Sequence, residues 1–460
     1  MAYFKRQVDA QLLQWKDSPR RKPLLIRGAH QVGKSTAVRE LGKSFPFYLE
    51  INLEKQPALR DLFTENIDVK KTCERLSGTL GVPIVPGETL LFIDEIQTSV
   101  EAIMSLRYFK EDYPELHVIA AGSLLEFTLD ELPSFAVGRI RSLYMYPFSF
   151  DEFLLAQGMS MQLDLKRMSS AANPLPAAAH LAMVEQLRSF YLVGGLPAAV
   201  TEWIESHSYI EVARVHSDIL DTYQDDFAKY AKRVSPALLR QVLRSVALQA
   251  GTKFTYAQVS QDAKSAAVKE ALSLLTLAGL IAPVTHSDAH GVPLGAEEHQ
   301  NYRKYLFFDV GVMQTLLSNS ASDTLLSNEV DFVNKGGLSE MFAGLELMKY
   351  ADCFRRSELY YWQHMSRNGN AEVDYLRESE GKIVPMEVKA STRGGMQSLW
   401  LFMRKYKLHT AVRTSLENFG AMDFFDKYAD DDDADAIRHV EIVPLYALSG
   451  GIPYRRGDVG

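Results

Sequence analysis

The chain has 460 residues, 47% of them apolar and 23% charged, with a formal net charge of −8. That length exceeds one ordinary core and predicts several units, while the composition is that of a chain able to bury them, which excludes global disorder. The negative balance excludes a protein that coats nucleic acid through bulk charge, so any DNA contact has to be local. The two cysteines, Cys73 and Cys353, make neither a disulfide framework nor a repeated metal-ligand pattern and point to the reducing cytoplasm. No run reaches the ~18 apolar residues that span a bilayer, and the N-terminus lacks a secretory signal, so no membrane contact is expected.

Residues 3–15 carry apolar groups at helical spacing, and the polar stretch Lys16–Lys22 separates them from the strand-like Pro23–Arg27. A glycine-flanked loop, a helix over Ser35–Lys43 and a strand around Phe47–Leu53 follow. This β-loop-α-β order predicts a parallel sheet, to which Thr89–Ile93 and His117–Ala121 add buried central strands. Residues 161–180, with Pro174 and Pro176, read as a loop or linker, and 181–232 as helical apart from the breaker Gly194–Pro197. From Pro236 to Asp309, three helices precede the strand-like pieces Leu280–Val284 and Tyr305–Phe308, the order of a winged helix. Residues 337–460 return to α/β, with a helix over Leu338–Tyr350 and strands over Glu358–Gln363, Glu372–Arg377 and Ile383–Lys389. The run Asp430–Asp433 reads as a solvated loop.

The segment Gly28, Ala29, His30, Gln31, Val32, Gly33, Lys34, Ser35 fits GxxxxGK[ST] between an apolar strand and a helix. Glycines allow a tight turn around a phosphate, so that main-chain N–H groups and the helix start, including Thr36, face the anion. Lys34 is expected at the β- and γ-phosphates and the Ser35 hydroxyl on Mg²⁺. About sixty residues on, the apolar run Leu90–Ile93 ends in Asp94 and Glu95. Asp94 is placed in the Mg²⁺ shell and Glu95 at the attacking water, although an acidic pair at a strand end also caps helices. Ser123, after the next strand, is either a γ-phosphate sensor or a helix cap.

These matches, with Ile51–Glu54, Leu91–Gln97, Ala121–Ser123, Val137–Arg139 and Tyr146–Phe153, resemble a large bacterial and archaeal family of AAA+ ATPases close to the STAND class. Members carry a C-terminal domain of unknown function, and the resemblance runs over nearly the whole chain. His30 stands where the family usually has arginine, and Ser35 where it more often has threonine. The resemblance implies an arginine finger at Arg139, serving its own site or a neighbour's in a homo-oligomer. A surface ion pair is the other reading of Arg139. Gly194–Pro197 resembles the GxP element of STAND proteins, which implies that Pro197 abuts the nucleotide; a helix-breaking turn is its other reading.

Thr255–Asp262 and Ser265–Thr276 follow the order of a helix-turn-helix, but Lys264 and Lys269 supply few phosphate anchors, and a regulatory lid is preferred over DNA reading. Glu372–Leu376 followed by Ile383–Ser391 resembles a PD-(D/E)XK nuclease core. Strand alternation puts Glu387 and Lys389 on one face. Asp374 and Glu387 are then the candidate Mg²⁺ ligands, Lys389 the group that positions water, and Glu340 a fourth polar group. The same core often binds DNA or protein without cutting.

The expected architecture is α/β throughout: a P-loop NTPase core over 1–160, a helical lid over 161–232, a winged helix over 233–320 and a restriction-endonuclease-like domain over 325–460. The expected function is an ATP-hydrolysing switch or motor, with ATP or ADP and Mg²⁺ as ligands and DNA as the plausible partner. A Mg²⁺-dependent endonuclease gated by ATP and a nucleotide-sensing scaffold are the alternatives.

Overall fold

The computed structural model describes residues 3–64, 68–122, 125–131, 138–230, 233–260, 262–318, 335–366, 369–391, 394–426 and 437–448. Ser123, Val137 and Asp430–Asp433 lie outside them. The protein is mixed α/β, and its contacts gather into two compact units. The first comprises 1–148 with the short segments 277–280 and 352–356. The second comprises 149–276, 281–351 and 357–460.

In the first unit, helix α1 (Gln7–Asp17) leads into strand β1 (Leu24–Arg27), helix α2 (Lys34–Gly42), β2 (Phe47–Asn52), α3 (Val69–Leu80), β3 (Thr89–Asp94), α4 (Val100–Asp112), β4 (His117–Ala121), α5 (Leu125–Glu131) and β5 (Arg141–Tyr144). The sheet order is β2-β3-β4-β1-β5, and every pairing is parallel. All six residues of β3 are buried, as in a strand covered on both faces. Leu49, Ile51, Leu91, Ile93, Val118 and Ala120 pack one face against Val69, Leu76, Ile103 and Leu106 of α3 and α4. Asp68 caps α3 by accepting from the amides of Lys70 and Lys71, and Gly81 ends that helix at φ 69°. Because the strands run parallel, the carboxyl ends of β1, β3 and β4 open on one edge, where α/β sheets bind ligands.

The second unit begins with helices α6 (Phe150–Ala156), α7 (Ser160–Met168), α8 (Ala177–Val193), α9 (Pro197–Ser206), α10 (Tyr209–Asp226), α11 (Pro236–Leu248) and α12 (Ser265–Leu277, whose last residue falls in the first unit). The hairpin β6 (Ile281–Ser287) and β7 (Glu298–Phe307) leads to α13 (Val310–Leu317) and α14 (Lys335–Lys349). Strands β8 (Leu359–Ser366), β9 (Gly369–Ser379) and β10 (Lys382–Val388), helix α15 (Gln397–Lys405), and strands β11 (Thr410–Ser415), β12 (Gly420–Phe425) and β13 (Ile437–Pro444) complete it. Among the described residues, eight strands form one mixed sheet in the order β12-β13-β11-β10-β9-β8-β6-β7. Trp362, Val373, Leu399, Phe402, Met403 and Val440 form its core on the α15 side.

Three local expectations change. Within 161–180, only 169–176 is loop, because Ser160–Met168 is helical. That helix buries just Leu163 and Lys166 and so shows no apolar stripe, while Pro176 serves as N-cap of the next helix. Among its described residues, the stretch Thr255–Asp262 holds a 3₁₀ turn, Tyr256–Gln258, rather than a first helix. The strands read as a wing are longer than expected and β6 pairs in parallel with β8, so the hairpin is the edge of the large sheet.

Candidate functional site

The loop after β1 turns through conformations that side chains rarely adopt. Gly28 sits at φ 145°, Gln31 at φ 61° and Gly33 at φ 94°, the last as N-cap of α2. A Cβ on Gly28 would lie 2.1 Å from the Met145 carbonyl oxygen, so this glycine answers to close approach as well as to φ. Gly28→Ala is therefore expected to strain the loop by at least roughly 3 kcal/mol and to abolish nucleotide retention. Thermal unfolding read beside binding of a fluorescent ATP analogue checks both.

Arg6, buried ahead of α1, braces the loop from below. Its guanidinium donates to the carbonyls of Val32 at 2.9 Å and Tyr146 at 2.8 Å and lies over the Phe148 ring. Lys34 is buried, and its ammonium donates to the Gly28 and Ala29 carbonyls at 2.9 and 2.8 Å. Burial pulls the Lys34 ammonium down to about 8, against the pull of Glu95 and Asp94. The Ser35 hydroxyl donates to Asp94 Oδ2 at 3.0 Å. Register places Asn52 beside Asp94, and its amide nitrogen is 3.5 Å from the same oxygen. Burial, with Glu95 beside it, raises the Asp94 carboxyl, while the Ser35 hydroxyl and the Glu95 amide oppose the shift. Glu95 itself stands at φ 52° and accepts from the Gln97 amide at 2.6 Å.

A buried ammonium, a helix start and a hydroxyl–carboxylate pair thus converge at the carboxyl edge of the sheet. The hydroxyl and carboxylate are the hard oxygen donors that Mg²⁺ takes, and the helix start with Lys34 suits a phosphate. His30, Gln31, Val32 and Thr36 follow the same turn, with Gln31 and Thr36 exposed and Val32 buried beneath it.

Arg139 lies just before β5, where its guanidinium pairs with Glu111 at the end of α4. That is the amino edge of the parallel sheet. A strand's length, roughly 13 Å for four residues, separates it from the carboxyl edge that carries Lys34, which disfavours service to its own site. Pro197 belongs to the second unit, as the first residue of α9. The glycine pair before it has a local cause. Buried Asp309 accepts from the amides of Gly195 (2.7 Å), Gly311 (3.0 Å) and Val312 (3.1 Å). A Cβ on Gly194 would fall 2.0 Å from its carboxylate.

The second unit brings Asp374, Glu387 and Lys389 together on β9, β10 and the residue after it. Asp374 Oδ2 accepts from the Val388 amide at 2.7 Å, and the Lys389 ammonium pairs with Glu387. Among the described residues, Glu387 Oε2 is buried without a hydrogen-bond partner. The three carboxylates whose oxygens converge within 4.8 Å are Glu340, Glu372 and Asp374. Among them lies Lys304 of β7, a buried lysine that sequence reasoning passed over, as it did Glu372. Its ammonium is 2.7 Å from Glu340 and 4.0 Å from Asp374, and it contacts Glu372. Burial alone would lower Lys304, but Glu340, Asp374 and Glu372 together hold it above its ordinary value. Burial likewise raises Glu340, Asp374 and Glu387. The cluster suits a cation, and Lys304 already provides one, so the donor set does not fit a resident Mg²⁺.

The parallel sheet and its glycine loop define a protein of the P-loop α/β class. Residues 20–154 match the family described as AAA domain, which makes this part of the chain similar to AAA+ P-loop ATPases. Residues 184–323 match Domain of unknown function (DUF8612), and 335–425 match Domain of unknown function (DUF4143). No curated protein matches the chain. Among solved structures, the Aeropyrum pernix ORC1 protein in complex with DNA is similar at 14% identity, covering 70% of this chain and 95% of that one, with a TM-score of 0.27. Drosophila ORC bound to DNA is similar at 12% identity, covering 64% and 89%, also with a TM-score of 0.27. Likenesses at that TM-score are too weak to speak for a shared fold. No helix among the described residues is long and apolar enough to cross a membrane.

Proposed function

We propose that the chain binds ATP with Mg²⁺ at Gly28–Thr36, hydrolyses it, and uses the cycle as a switch that changes how the second unit engages a partner, DNA being the first to test. The observation that carries this reading is the Ser35 hydroxyl 3.0 Å from Asp94, beside the buried Lys34 ammonium. In it, main-chain amides from Ala29 to Ser35 face the phosphates, Lys34 neutralises the β- and γ-phosphates, and Ser35 with Asp94 holds Mg²⁺. The metal, when bound, offsets charge on the phosphoryl oxygens. Glu95 orients and deprotonates water, with Gln97 fixing its carboxylate. Arg139 acts on a neighbouring copy in an oligomer, which matches its place at the far edge of its own sheet.

Glu95→Gln is expected to keep ATP affinity within a few-fold and to lower turnover by roughly 10²–10⁴-fold. Steady-state phosphate release, with and without duplex DNA, tests it: unchanged release in the variant sinks the assignment, and stimulation by DNA identifies the partner class. The alternative, a Mg²⁺-dependent endonuclease, is disfavoured by Lys304, whose ammonium lies where the carboxylates converge.

A further inference from the structure

The hairpin β6–β7 carries a side-chain cluster unrelated to either constellation above. His286 on β6 lies directly across from His299 on β7 in the antiparallel register, and their rings are 5.1 Å apart. Asp288 follows His286 by two positions. It is hydrogen-bonded to His299, Nε2 to Oδ2 at 2.8 Å. One ligand atom from each of the three groups falls within 4.8 Å of the others.

From these contacts we propose that His286, Asp288 and His299 form a zinc site at the tip of the hairpin, with solvent completing the coordination. Two imidazole nitrogens and one carboxylate are the donors of a three-ligand zinc centre with an open position. Mg²⁺ and Ca²⁺, which take oxygen ligands, are poorly served by them. The surroundings orient the first histidine for the task. His286 Nε2 is 3.1 Å from the Gln363 carbonyl, and since a carbonyl only accepts, Nε2 carries the proton and Nδ1 keeps its lone pair. A carbonyl that fixes the far nitrogen of a ligand histidine is the usual outer-shell device in metal sites. Asp288 and His299 are solvent-facing, which gives the ion a route in. The ion would take the place of the direct His299–Asp288 hydrogen bond and cross-link the hairpin's two strands. The neighbouring His290–Glu297 pair at 3.0 Å lies outside this ligand set.

The test is a Zn²⁺ titration of the chelator-stripped full chain against a chromophoric competitor, with Mg²⁺ present to occupy hard-oxygen sites. One tight Zn²⁺ per chain is expected. Affinity should fall at least tenfold in His286→Ala, His299→Ala and Asp288→Asn, and stay unchanged in Glu372→Gln and Cys353→Ser. Co²⁺ substitution should give visible d–d absorption that His299→Ala removes, and circular dichroism of each variant confirms folding. The proposal is overturned by absence of stoichiometric uptake, by uptake indifferent to the hairpin substitutions, or by uptake that disappears with Cys353→Ser or Glu372→Gln.

Discussion

Lys34→Ala is expected to weaken ATP binding at least 100-fold, about 2.7 kcal/mol, and to reduce turnover by at least a further 10²-fold. The ammonium is held at the loop between the Gly28 and Ala29 carbonyls, and its bonds to phosphate would be charge-assisted. The fold should tolerate the change. Burial already lowers this ammonium's proton affinity, so in the nucleotide-free protein its charge is disfavoured, and removing it relieves a cost while losing two hydrogen bonds. Little change in thermal unfolding, together with lost binding, separates a ligand contact from a folding defect. Retained turnover would show that phosphate is held elsewhere.

The second large effect is on stability. Lys304→Met should destabilise the second unit by roughly 3–5 kcal/mol near neutral pH, because Glu340, Glu372 and Asp374 lose the ammonium at their centre. The sign of the pH dependence follows from linkage. Without Lys304, the folded state holds protons on the buried Glu340 and Asp374 carboxyls that the unfolded chain has released. Between the ordinary carboxylate range and their raised values, the variant's stability therefore falls as pH rises. Urea unfolding at pH 5 and pH 8, followed on the second unit's transition, should show a smaller loss at pH 5. Mg²⁺ should partly restore the variant, since a divalent ion can then enter among the carboxylates. A variant as stable as the parent at pH 8 would show that Lys304 does not offset this charge.

What was legible in the sequence is what lies close together along it. Gly28 to Ser35 sits between a strand and a helix, and its chemistry depends on neighbours in the chain; Asp94 ends a run so apolar that its strand belongs inside the sheet, where β3 lies between β2 and β4. The partners that complete each site come from far away. Arg6 reaches Val32 and Tyr146, and Lys304 meets Glu340 and Glu372 across 36 and 68 residues. No periodicity encodes such meetings. The β6–β8 pairing is equally long-range, joining Val284 to Leu359, which is why the hairpin read as a free wing. Short amphipathic elements fail for another reason: α7 turns Met161 and Met168 outward and buries Lys166 against Asp151, inverting the usual pattern. Gly194 does end α8, as a helix breaker should, but the space it leaves is taken by Asp309 from far along the chain.

Calorimetric titration of ATP, with Mg²⁺, into the full-length protein and into Lys34→Ala is the most direct measurement. Saturable binding at one site per chain, strengthened by Mg²⁺ and lost in the variant, is the expected result. An absence of heat and of retained nucleotide in the parent protein, or equal affinity in both proteins, would contradict the assignment of Gly28–Ser35 and Asp94 as the place where the triphosphate and its metal are held.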